Sequence, residues 1–168
     1  MSPTSPFAAP TSSSSPAAPP QIGSTLHLLG SLVTFRATTA ETQGSFSLVE
    51  TRTAPGQGTP PHTHANDTEA FLVLEGEYDF IVGDVTVRGG PGSFHFVPTG
   101  TPHAFSNPGD TPARMLILHT PGIQHEQFFL EAGDPVTDVT QFPPPAPPDL
   151  PRLLQAALRN GIEMLPPA

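Results

Sequence analysis

The chain has 168 residues, a formal charge of −9, 24 Pro, 15 Gly and 36% hydrophobic residues. Those figures suit one turn-rich β domain with irregular tails rather than a helical bundle. There is no Cys and no Lys, which excludes disulfides, iron–sulfur clusters, thiolate zinc sites and Schiff-base chemistry, and the acidic balance argues against nucleic acid or anionic membranes as partners.

Residues 1–22 are dominated by Ser, Pro, Ala and Thr and hold nothing that could build a core, so a disordered tail is expected there. The tail has no basic region followed by an apolar one, and no stretch approaches the roughly 20 apolar residues of a membrane span. A soluble cytoplasmic protein with no membrane partner is the expectation.

Residues 23–122 read as short apolar runs rich in Val, Leu, Phe and Thr. Candidate strands fall at 25–29, 31–38, 45–53, 69–75, 77–82, 84–88, 93–97, 102–106 and 113–119. Gly83-Asp84, the Gly89–Gly92 segment and Asn107-Pro108-Gly109-Asp110 supply turns between them. Many short strands with no helix among them predict antiparallel sheets closed into a sandwich or barrel.

Residues 123–168 form an extension of different character. A short helix is predicted over 123–131, ending near Gly133, followed by a stiff Pro-rich linker at 143–148. Leu150, Leu153, Leu154, Ala157 and Leu158 recur at helical spacing. Asp149 is placed to cap that helix, Pro151 falls in its first turn, and Gly161 marks its end.

Two windows carry chemistry. In HTHANDTE, His62 and His64 are two apart, so on a strand both point to one face. Glu69 follows a turn-forming stretch and can return to the same spot from a neighbouring strand. In PTGTPHAFSN, Pro98, Gly100 and Pro102 make a turn that delivers His103 at the start of a strand. Imidazole and carboxylate are good ligands for Fe, Mn, Ni, Co, Cu or Zn, and three His with one Glu leave room for one or two further ligands. A lone HxH is weak evidence, and the remaining His carry less. His95 and His119 lie on later strands as either core residues or supports for a ligand. His27 and His125 have no context that raises them.

The spacing of both windows resembles the two motifs of the cupins. G-x5-HxH-x4-E-x6-G is met by Gly56, His62, His64, Glu69 and Gly76, and G-x5-PxG-x2-H-x3-N by Gly92, Pro98, Gly100, His103 and Asn107. The resemblance covers about residues 24–122. It implies an all-β fold, a double-stranded β-helix or jelly-roll barrel, with one divalent transition metal ion held inside by His62, His64, Glu69 and His103. An intact three-His, one-Glu set resembles that of quercetin dioxygenases, which implies a small, aromatic or enol-type substrate, dioxygen as co-substrate, and Glu69 as both ligand and proton acceptor. A non-catalytic small-ligand-binding cupin and a metal-dependent isomerase or epimerase are the alternatives. Strand alternation turns Phe71 and Val73 inward with Glu69, and Phe105 inward with His103, so these three are the candidate substrate contacts. Phe128 and Phe129 either lid the mouth or anchor the extension. Residues 24–38 and the outer sheet face offer surfaces for a homodimer.

Overall fold

The computed structural model describes residues 19–166. The tail expected at 1–22 therefore falls largely outside the described residues. Ten strands run from Thr25 to Thr120 in chain order: β1 (Thr25–Leu28), β2 (Ser31–Ala37), β3 (Ser47–Thr53), β4 (Gly58–His64), β5 (Thr68–Glu75), β6 (Tyr78–Val82), β7 (Val85–Gly89), β8 (Phe94–Val97), β9 (His103–Ser106) and β10 (Ala113–Thr120). Beyond them lie helix α1 (Ile123–Ala132), β11 (Asp134–Val136), helix α2 (Leu150–Arg159) and β12 (Ile162–Met164).

The strands form two sheets that face each other. The larger has the order β11-β1-β2-β3-β10-β5-β8, the smaller β12-β4-β9-β6-β7, and every pairing is antiparallel. Side chains alternate across each strand, so Ala113, Met115, Ile117 and His119 of β10 point inward while Arg114, Leu116 and Leu118 point out. The interior holds Phe35, Val49, Phe71, Tyr78, Phe80 and Met115, all nearly inaccessible to solvent. Each such side chain contributes roughly 1.5–3 kcal/mol through burial.

The turn signals do what their chemistry suggests. Gly83 takes a positive φ in the two-residue turn between β6 and β7. Asn107 is buried and ends β9. Its side-chain amide donates to Thr53 O and Thr111 O, and its Oδ1 accepts from Gly109 N.

Three strands were absent from the sequence reading. β4 contains Pro60-Pro61, which cannot donate to a ladder, and its pairing with β9 is irregular between Thr59 and His62. β11 and β12 have three residues each, too short to show alternation. Both expected helices are present. Asp149 accepts from Arg152 N at the start of α2, and Gly161 follows its end with positive φ. Arg152 then ties the two helices together: its guanidinium donates to Glu131 O at 2.7 Å, to Gly133 O at 2.6 Å and to Asp134 at 2.6 Å. The first two are backbone carbonyls at the end of α1, and the third is a side-chain carboxylate. Among the described residues no helix is long and apolar enough to cross a membrane.

Candidate metal centre

The site is assembled across the two sheets. β4 and β9 are neighbours in the smaller sheet, and their register sets His62 opposite His103. His64 shares the inward face of β4 with His62. Glu69 comes from β5 in the larger sheet, reached after the turn at 65–67. All four side chains are buried, and their ligand atoms lie within 4.8 Å of one another.

Local hydrogen bonds aim the rings. His62 Nδ1 donates to Pro60 O at 2.8 Å, and His103 Nδ1 donates to Thr101 O at 2.8 Å. In each case the acceptor is the carbonyl two residues earlier, which leaves Nε2 to face the centre. His64 has no such partner: both of its ring nitrogens are buried without a hydrogen bond. Orphaned buried polar atoms are costly unless something satisfies them. A cation would do so, and this set of imidazoles with one carboxylate is a good donor set for a divalent transition metal ion.

The electrostatics agree. Burial pushes His62 down to about 4, and the nearby His103 adds to that effect. Burial, with His125 beside it, drives His64 in the same direction. Burial alone would raise Glu69, but hydrogen bonds from His103 at 2.7 Å and His119 at 2.9 Å hold its carboxyl well below the usual range. Burial would likewise lower His103, yet its contact with Glu69 leaves it raised. Neutral rings on β4 and an ionised carboxylate are the forms that bind metal.

Two further His join this cluster. His119 stands opposite Glu69 in the β5–β10 register and donates Nε2–H to Oε1. His125, carried in by α1, stacks on His119 with ring centroids 3.5 Å apart and planes 16° apart. Its Nδ1 lies 3.5 Å from Asp67. Glu69, His119 and His125 also bring their ligand atoms within 4.8 Å. Parallel stacked rings direct their in-plane lone pairs along parallel planes, so one ion does not meet both in line. The pair reads instead as support for Glu69. His125 had no context in the sequence, although His125, Phe128, Phe129 and Ala132 follow the i, i+3, i+4, i+7 spacing of a buried helix face. His95 stands apart: it packs on Phe80 at 4.3 Å and takes no part in the cluster.

Beside His62 lies a narrow cavity of about 50 Å³, bounded in part by Thr51, Phe105, Ile117, His125, Phe128 and Phe129. Of the three candidate substrate contacts, Phe105 lines this cavity. Phe71 and Val73 are buried in the core, with the Phe71 ring 5.2 Å from Phe80 and 6.4 Å from His103. Phe128 and Phe129 are both buried against the barrel.

Comparison with known proteins follows the same residues. The model of the cupin domain family matches residues 49–119. Germin-like protein 5-1 of Oryza sativa subsp. japonica is 36% identical over 92 residues, which is 49% of this chain and 41% of that protein. Quercetin 2,3-dioxygenase of Bacillus subtilis (strain 168) is 31% identical over 94 residues, 56% of this chain and 27% of that one. The chain spans from 27% to 56% of the length of the curated relatives it matches. Among solved structures, a predicted oxalate decarboxylase from Thermotoga maritima superposes with a TM-score of 0.54 at 18% identity, over 57% of this chain and 91% of that one, a likeness of fold.

Proposed function

Because this chain belongs to the cupin superfamily, we propose that it is a metal-dependent dioxygenase acting on a small enol-type substrate. The observation that carries this reading is the convergence of His62, His64, His103 and Glu69 in one buried cluster, two of the rings aimed by their own backbone. His62, His64, His103 and Glu69 would hold the ion, which would supply Lewis acidity and electron exchange with dioxygen. Iron, manganese, nickel, cobalt or copper would serve this chemistry, and zinc would not exchange electrons.

The chain's own residues do the rest. His119 holds one oxygen of Glu69 and leaves Oε2 toward the three imidazoles. Glu69 takes the proton of the substrate hydroxyl as that oxygen approaches the centre. Phe105, Phe128 and Phe129 keep water from the reacting atoms. An isomerase acting on a phosphorylated sugar is less well supported, since no Arg lines the cavity to hold a phosphate.

The test is elemental analysis of the protein purified without added metal, followed by oxygen uptake with small enols. Near one equivalent of a redox-active ion and substrate-dependent uptake are expected. Metal content unchanged in a His62→Ala, His64→Ala double variant would refute the site itself.

We also infer a homodimer. Phe94 and Phe96 are 63% and 54% exposed on the outer face of β8, an edge strand. They continue into Leu72, Leu116, Leu118 and Leu48 across β5, β10 and β3. Arg36 and Arg114 on this face are paired with Glu50 and Glu75. A second copy would meet an apolar strip whose flanking Arg36 and Arg114 are already neutralised by carboxylates.

A further inference from the structure

The cavity beside the metal cluster has a wall supplied by the C-terminal segment. Its barrel side is made by residues such as Thr51, Phe105 and Ile117, and the rest by the C-terminal segment: His125, Phe128 and Phe129 of α1, with Ile162 and Met164 of β12. The segment is fastened at several points. Glu126 of α1 is buried, and its two oxygens accept from Thr39 N and Thr39 Oγ1, both at 2.6 Å. β12 adds to the free edge of β4, with Met164 opposite His62 and Ile162 opposite His64. Leu165 N donates to Pro61 O at 2.8 Å just beyond it.

The space so enclosed is small. An apolar cavity of about 150 Å³ is enough to bind benzene or xenon, and this one is about 50 Å³. Its lining is mainly apolar.

We propose that the C-terminal segment, through Phe128, Phe129 and Met164, sets the size of molecule that reaches the metal cluster, admitting compact, largely apolar compounds and excluding aromatic rings. The inference rests on the reading that substrate meets the centre through this cavity. It accounts for specificity by a part of the chain outside the matched family region at 49–119. The aromatic alternative raised by the sequence is then the one the roof rejects.

The test uses two probes on the full chain, xenon under pressure in crystals and benzene by soaking and by thermal shift. Xenon is expected in the wild-type cavity. Benzene is expected to be absent from it and to leave the wild-type Tm unchanged. Phe128→Ala removes a ring from the wall, so benzene should enter and raise the Tm of that variant by several degrees at saturation, as any ligand that binds only the folded state does. Phe129→Ala and Met164→Ala provide the same comparison if Phe128→Ala does not fold. Benzene in the wild-type cavity, no xenon there, or folded variants that still refuse benzene would each overturn the proposal. None of these readouts needs metal or turnover. A protein that takes up no oxygen but excludes benzene would remove the oxygen chemistry and leave the roof standing.

Discussion

Glu69 is held from two sides, by His103 on one oxygen and His119 on the other. Replacing it with Gln keeps the shape and removes the charge and the proton acceptor. Glu69→Gln is expected to retain much of the metal through the three imidazoles while oxygen uptake falls by roughly 10²–10⁴-fold, the usual size of a lost acid–base group. Metal content by mass spectrometry and initial rates check this, and a variant at full rate would remove Glu69 from the chemistry. The His on β4 make a second prediction, for protein stripped of metal by a chelator. His62 is lowered to about 4 when folded, and His64 and His125 are also lowered. The unfolded chain therefore takes up these protons first, and stability is lost as pH falls from about 6.5 toward 4. His103, raised by Glu69, runs the other way: its contribution is present below about 6.5 and lost as pH rises through its folded value. Three groups outweigh one, so the Tm of the stripped protein should drop between about pH 7 and 4.5. A flat profile would count against neutral rings. At this scale the cluster of His62, His64, Glu69 and His103 was legible because both windows resemble the cupin motifs, which bring these four residues together. His125 was not, because its place depends on how a helix docks far along the chain.

At the scale of elements, one buried carboxylate helps to tie α1 to the barrel. Glu126→Ala would leave the buried Thr39 N–H and hydroxyl unpaired, which costs about 2–4 kcal/mol. A urea titration should show that loss in its midpoint, and an unchanged midpoint would mean α1 is held elsewhere. Helices α1 and α2 were legible from spacing and caps, and most strands from alternation and turns. β4 was not among the expected strands, and its Pro60-Pro61 pair, which cannot donate to a ladder, sits at an irregularity in its pairing with β9. β11 and β12 were hidden for a different reason: three residues become a strand only when a partner edge is waiting, and that edge is a tertiary fact.

For the whole molecule, antiparallel sheets closed on a core followed from composition and turn chemistry, and the jelly-roll arrangement from the two motifs. The roof over the centre did not, because nothing local says which barrel mouth a C-terminal helix will cover. The exposed face of β8 makes the prediction at this scale. Light scattering should give the mass of two chains for the wild type and of one chain for a Phe94→Glu, Phe96→Glu double variant, with metal content unchanged in both. A wild-type mass of one chain would exclude the dimer, and a double variant that stays paired would move the interface to another face.

The position of β12 has one more consequence, in time rather than in space. A ribosome delivers β4, β5 and β9 well before β12. While the nascent chain is still growing, the strand that carries His62 and His64 has a bare edge. The order of synthesis thus leaves that edge open until the C-terminal segment has been made.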